Sequence, residues 1–177
     1  MQANKNTPYY LIAIGLVILM KFGYTRANTN DLIFLLKPTD KIVGLVTASP
    51  SVYSPEKGYY HENLHIVIDK SCSGFNFWIV SFVVFTYLTF RHFDKTVYKI
   101  FIIPSILCYT FLFTILVNTA RILASISVQT QTKNMFLNQQ HLIHEAVGII
   151  TNLSFLILAY YLTEKLLTHI QHNEKLT

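Results

Sequence analysis

The chain is poor in charged residues and in cysteine, and each shortage excludes a class of protein. Of its 177 residues 13% are charged and 52% are hydrophobic, which is too little charge for an ordinary soluble domain. Its 2 cysteines cannot build a disulfide framework, and they form no Cys-x-x-Cys pair of a quinone-linked redox enzyme. Lys and Arg give a net charge of +5 but are scattered along the chain. We therefore expect contact with the anionic headgroups of a lipid bilayer and no nucleic-acid partner.

Long uncharged runs take the place of the missing charge. They predict an all-α, polytopic transmembrane bundle of about four spans, built as a single integral membrane domain over residues 1–177. The first run is followed by Lys21 and Arg26 rather than by a small-residue cleavage site, which favours a retained anchor helix. The predicted spans are 8–24, 74–90, 100–120 and 146–163.

Four spans put both termini on one side of the membrane and the segments 25–73 and 121–145 on the other. Lys and Arg are denser on the side of the termini, which assigns that side to the cytoplasm and makes the two segments extracytoplasmic. A further span between residues 31 and 49 would reverse the N-terminus but leave the later helices unchanged.

The first of these segments contains several short elements. Leu32–Leu36 and Ile42–Val46 are too short to cross a bilayer and are expected to be interfacial or re-entrant. Ser49–Gly58, with two prolines, is predicted to be a turn-rich loop, and His65–Asp69 a short strand that leads into Cys72. Beyond the third span, Ile122–Val128 is expected to continue the helix.

Cys72, Arg121 and His144 each lie at the edge of a predicted span. Cys72 precedes the second span, Arg121 follows the third and His144 precedes the fourth, so alternation of the spans places all three at one membrane face. A cysteine at a helix N-terminus near a cation is favoured as a thiolate nucleophile. His144 could act as its acid/base and Arg121 as the oxyanion stabiliser, which together would perform nucleophilic acyl transfer. Asn118, one turn before Arg121, could orient it or the substrate.

Each of these residues also has a simpler structural explanation. Cys72 could be a small half-buried residue, Arg121 a snorkelling anchor and His144 an interfacial hydrogen-bonding residue, with His141 a competitor for the acid/base role. Cys108, inside the third run, is expected to be buried as a small hydrophobe. The spacing of the remaining candidate ligands, His61 and His65, fits no compact zinc site, so no metal and no other cofactor are expected.

Three blocks of the sequence resemble the exosortase/archaeosortase family. They are Cys72-Ser73-Gly74, Asn118-Thr119-Ala120-Arg121 and His144-Glu145-Ala146-Val147-Gly148, and they are similar, in order and placement, to the family's Cys-x-Gly, Asn-x-x-Arg and His-x-x-x-Gly blocks. The similarity runs from about Leu32 to Ile157 and is greatest to the small exosortase K branch. The chain departs from the pattern at Lys70, where many relatives have an acidic residue, and at Ile149, where they have an aromatic one.

The resemblance implies a cysteine transpeptidase of the bacterial inner membrane with its active site on the extracytoplasmic face. Such an enzyme cleaves the C-terminal sorting signal of exported proteins, which includes a transmembrane tail, and transfers them to a surface or extracellular acceptor. It implies Cys72 as the nucleophile, Arg121 as the stabilising cation and His144 as the acid/base. The alternative is a non-catalytic membrane assembly or polysaccharide-export component, in which the three residues only anchor helix ends.

Overall fold

A computed structural model describes residues 7–92, 96–132 and 140–174, which form five α-helices and one small sheet. The helices are α1 (Thr7–Arg26), α2 (Ile33–Thr47), α3 (Phe75–His92), α4 (Thr96–Thr132) and α5 (Gln140–Glu174). The strands are β1 (Ser51–Ser54), β2 (Gly58–His61) and β3 (Ile66–Ile68), which pair antiparallel in the order β1-β2-β3.

Four helical stretches are long and apolar enough to cross a membrane. Each overlaps one predicted span, so the all-α transmembrane bundle is confirmed as the fold class and the chain is a membrane protein. α4 continues past Arg121 as far as Thr132, as expected of Ile122–Val128. The four stretches are Thr7–Arg26, Lys70–His92, Phe101–Gln129 and Glu145–His169.

The two short apolar pieces between the first and second spans belong to one helix. α2 has 15 residues and continues through Pro38, and it is shorter than the roughly 20 residues that a bilayer requires. Leu35, Thr39 and Val43, spaced four residues apart on one side of α2, are fully buried, and the Thr39 hydroxyl donates to the Leu35 carbonyl at 2.9 Å. A strip of side chains at this spacing indicates one helix, although Pro38 and three charges separate its two apolar halves.

The prediction of a turn-rich loop over Ser49–Gly58 is wrong for β1, which is a strand. In this strand Val52 and Tyr53 pair with Tyr60 and Tyr59 of β2, and the rings of Tyr53 and Tyr59 lie 4.8 Å apart. These are residue types that favour strands, and their cross-strand contacts outweigh the flanking prolines. Burial raises the pKa of the Tyr59 phenol, and the charges of Asp40 and Tyr53 raise it further. The phenol therefore stays neutral. β3 confirms the strand predicted ahead of Cys72.

A buried polar cluster fastens the sheet to α2. His61, at the end of β2, is 0% exposed, and its Nε2 lies 3.0 Å from Oδ1 of Asp40 on α2. Its Nδ1 lies 3.3 Å from the Ser49 hydroxyl, directly after α2. Because buried polar groups are stable only when paired, these contacts fix the position of the sheet on the helix.

We expect Asp40→Ala to lower the free energy of unfolding by about 3 kcal/mol, because it leaves buried His61 without its carboxylate. The measurement is denaturant unfolding of the purified chain in detergent micelles. Lys41→Ala, at the exposed neighbouring position, is the matched control and should change stability by less than about 0.5 kcal/mol. Equal unfolding midpoints for the two variants would show that the cluster does not hold the sheet.

Aromatic and polar contacts join α3 to its neighbours. Trp78 on α3 donates its indole N–H to the Thr110 hydroxyl of α4 at 3.2 Å and to the Leu107 carbonyl at 3.3 Å. Tyr24, near the end of α1, stacks on Phe75 at the start of α3 with ring centroids 4.8 Å apart. These contacts set the rotation of α3 and therefore the position of the segment that precedes it.

Candidate active site

Cys72 ends a tight 3-10 turn, Lys70–Cys72, between β3 and α3. Asp69 caps this turn: its Oδ1 accepts from the backbone N–H of Ser71 at 2.9 Å and of Cys72 at 3.3 Å, and from the Ser71 hydroxyl at 2.6 Å. The Ser73 hydroxyl accepts from the Phe75 N–H at the start of α3, at 3.4 Å. An Asp followed by serines is a strong local signal for such a turn. The backbone around Cys72 is therefore fixed by its own neighbours.

The Cys72 thiol lies at the edge of the sheet, beside a small cavity. The side chain is 9% exposed, and its Sγ is 3.9 Å from the Val67 carbonyl of β3 and 3.8 Å from the Ser71 hydroxyl. The cavity has a volume of about 40 Å³ and separates β3 from the second half of α4. On the α4 side it is lined by Ile122, Ser125, Ile126 and Gln129. The thiol thus lines a space that a small group can enter.

Asn118 of α4 binds the backbone of the cysteine turn. Its Nδ2 donates to the Cys72 carbonyl at 2.5 Å, and the residue is 2% exposed. Gly74 makes this approach possible: it has φ +70°, and a Cβ at this position would lie 3.0 Å from the Asn118 Cγ. Asn118 Oδ1 is buried and has no hydrogen-bond partner among the residues that the structure describes. The sequence predicted that Asn118 orients Arg121 or the substrate, and its observed contact is instead with Cys72.

Arg121 lies one turn beyond Asn118 on α4 and contacts α5. A Cβ at Gly148 would lie 3.4 Å from Arg121 Cδ, an ordinary van der Waals distance, so the arginine side chain packs against the helix at this glycine. Arg121 Nε is buried and has no hydrogen-bond partner within the described part of the chain. A buried donor without an acceptor costs free energy, and it is available to an oxygen of a bound molecule.

The two histidines that compete for the acid/base role are both in the first turns of α5. His144 lies four residues before Gly148, and His141 lies seven residues before it. Both positions are therefore on the side of α5 that includes this glycine. Their side chains are outside the described residues, and the backbone positions suit both equally.

The three motif blocks therefore meet in pairs. The cysteine block contacts Asn118, Arg121 of the same motif contacts Gly148, and the helices α3, α4 and α5 all pack on one another. A hydrogen bond of the cysteine backbone to α4 could not be predicted from the sequence, because it depends on the rotation of two apolar helices. Asp69 and Ser125 were also not singled out, although an Asp ahead of serines is a recognisable capping signal.

Two other expectations have different outcomes. Cys108, expected to be buried, is exposed on α4, because an evenly apolar run does not indicate which side faces lipid. Lys70, which replaces an acidic residue of the family pattern, donates from Nζ to the Ala27 carbonyl at 2.6 Å and lies over the Tyr24 ring at 5.0 Å. It thus binds the end of α1 to the cysteine turn.

No three His, Cys, Asp or Glu side chains come together as metal ligands within the described part of the chain. His61 is bound to Asp40 and Ser49, and His65 lies in a left-handed turn position with φ 51°. Among the described residues that line the cavity, the polar groups are the Cys72 thiol, the Ser125 hydroxyl, the Gln129 carboxamide and backbone amides.

The chain matches no family model, no curated protein and no solved structure. The likeness to the exosortase/archaeosortase family rests on the three motif blocks, and membership of that family stays a prediction.

Proposed function

We propose that this chain is a membrane-embedded cysteine transpeptidase of the exosortase type. It cleaves the C-terminal sorting signal of exported proteins and transfers them to a surface or extracellular acceptor. The observation that carries this proposal is the path of contacts from the Cys72 carbonyl through Asn118 to Arg121 and Gly148. Residues far apart in sequence are joined there to the backbone of the cysteine turn, and at Gly74 a side chain would obstruct this contact.

The reaction begins when an imidazole, that of His144 or of His141, takes the proton from the Cys72 thiol. The thiolate sulfur attacks the carbonyl carbon of the scissile peptide, a C–S bond forms, and the carbonyl oxygen takes the negative charge. The C–N bond then breaks, and the imidazolium returns the proton to the leaving amine. An amine, a hydroxyl or water attacks the resulting thioester, which releases the product and restores the thiol.

Arg121 stabilises the oxygen that gains charge in both acyl-transfer steps. Its buried Nε, unpartnered among the described residues, is a donor already desolvated before substrate arrives. A donor of this kind costs no reorganisation during the reaction. Asn118 is a positioning residue, because its contact is with the backbone of the nucleophile and not with the reacting atoms.

The order of the four spans supports a membrane face for the proposed site. The site lies at the ends of spans two and three that share one face, opposite the side on which Lys and Arg are denser. We therefore propose that the active site is on the extracytoplasmic face, where exported proteins arrive; the bacterial inner membrane is what the resemblance to the exosortase/archaeosortase family implies.

The experiment that tests the function compares the reactivity of the two thiols in native membranes. We expect iodoacetamide at about pH 6.5 to alkylate Cys72 about tenfold faster than Cys108, because the proposed mechanism gives Cys72 a histidine base and gives Cys108 none. Mass spectrometry of the peptides around each cysteine measures both rates. His144→Gln should slow the alkylation of Cys72 more than His141→Gln, and the reverse order would reassign the base.

Labelling of the chain after denaturation in detergent is the control, because there the two thiols should react alike. If Cys72 reacts only after denaturation, the proposed enzyme is wrong and the non-catalytic assembly component is favoured.

A further inference from the structure

β3 is an edge strand, and its free edge faces the thiol. The sheet order β1-β2-β3 leaves β3 with a strand neighbour on one side only, within the described residues. The Ile68 carbonyl points to β2, since a Cβ at Gly58 would lie 2.3 Å from it. Because backbone groups of successive strand residues point to opposite edges, the N–H and carbonyl of Val67 point away from β2. The Cys72 thiol, 3.9 Å from this carbonyl, lies on that edge.

The space beyond this edge has an unsatisfied polar group of its own. Ser125 of α4 is 4% exposed, its hydroxyl has no hydrogen-bond partner among the described residues, and it lines the cavity together with Cys72. A native protein rarely leaves a buried hydroxyl without a partner unless something else supplies one. Val67 is 41% exposed, so this central residue of β3 lies at the surface of the protein.

We propose that the substrate segment around the scissile bond binds in extended form as a fourth strand on the free edge of β3. This inference rests on the proposed function and specifies how its substrate is held. One residue of an extended peptide can offer its carbonyl to the N–H of Val67 and its N–H to the Val67 carbonyl. Sheet edges recognise peptides through backbone hydrogen bonds of this kind. A peptide bound in this way also brings one of its own main-chain carbonyls within reach of the thiol, because Cys72 follows the end of β3 by only four residues.

The cavity further limits which side chain can enter. A volume of about 40 Å³ admits a small side chain or a few waters but not a large one. Ile122 and Ile126 form its apolar α4 side, with the Ser125 hydroxyl between them. We therefore expect a small residue, such as alanine or serine, next to the bond that is cleaved.

The test uses two electrophiles that carry the same reactive group. One is methyl vinyl sulfone, and the other is a tetra-alanine peptide ending in a vinyl sulfone. On the full chain we expect the peptide to label Cys72 about tenfold faster than the small reagent, since two backbone hydrogen bonds of ordinary strength add about this factor. Val67→Pro removes the N–H at the free edge and should abolish the advantage of the peptide. Val67→Ala keeps that N–H and should preserve it.

A second arm uses the unaltered protein, so that the test does not depend on the folding of the proline variant. A peptide methylated on each backbone nitrogen cannot donate to β3 and should label no faster than methyl vinyl sulfone. The strand proposal is overturned, while the proposed function stands, if Cys72 reacts with methyl vinyl sulfone but three comparisons show no difference. These are the peptide against methyl vinyl sulfone, Val67→Pro against Val67→Ala, and the methylated against the unmethylated peptide. If Cys72 reacts with neither reagent, both are overturned.

Discussion

Replacing Cys72 by alanine is expected to lower substrate processing by at least about 10⁴-fold, because the variant has no nucleophile to form the acyl intermediate. The measurement is co-expression with a candidate substrate and detection of its shortened form. A suitable substrate is a protein of the same genome that ends in a short motif, an apolar run of about 20 residues and a basic cluster.

The matched control is Cys108→Ala. Both changes remove one thiol, but Cys108 is exposed on α4 and lies outside the three motif blocks, so processing should continue at the original rate. Normal processing by the Cys72→Ala variant would refute the transpeptidase proposal. Cys72→Ser, which puts a smaller and less acidic hydroxyl in place of the thiol, should also be inactive if the thiolate is required.

The spans of this protein were predictable because a bilayer demands long apolar runs, and the sequence has four of them. The turn at Cys72 has local causes, since an Asp ahead of serines is a capping signal and the Ser73 hydroxyl accepts the Phe75 N–H. Local chemistry of this kind acts over two or three residues. It does not depend on how helices are rotated against each other.

The contacts that join the motif blocks could not be predicted in detail. Alternation of spans placed Cys72 and Arg121 at one face, but it could not show that Asn118 binds the Cys72 carbonyl or that Gly148 accommodates Arg121. Those contacts require the rotation of α3, α4 and α5, and an evenly apolar helix gives little information on its own rotation. The exposure of Cys108 is unpredictable for the same reason.

The segment between the first two spans was the least predictable part. The pairing of Asp40 with His61 joins residues 21 positions apart, and it was not anticipated because His61 was considered only as a possible metal ligand. The segment matters to the site, because β3 precedes Cys72 and its free edge lies against the thiol. The three strands are therefore attached to α2 on one side and lie beside the thiol on the other. A change that loosens the sheet from α2 should also change access to the thiol.

Arg121→Lys should lower the rate of processing by about 10²-fold, although it keeps the positive charge. The donor that is buried and unpartnered among the described residues is Nε, inside the side chain, and lysine has no nitrogen at that position. Loss of one preorganised donor to an oxyanion is typically of this size. Pulse-chase analysis of the co-expressed substrate measures the rate, and peptide mapping shows whether a thioester on Cys72 accumulates.

Arg91→Lys is the matched control for this change. Arg91 is also near the end of a spanning helix, but it is exposed, and its Nη1 reaches Glu164 at 3.5 Å, so its replacement should leave the rate within about twofold. If Arg121 were only a snorkelling anchor, lysine would serve equally well and the two variants would behave alike. If instead Arg121 stabilises both tetrahedral intermediates, formation and breakdown of the thioester slow together, and the intermediate does not accumulate. Accumulation would mean that Arg121 assists only the second step, in which the acceptor attacks.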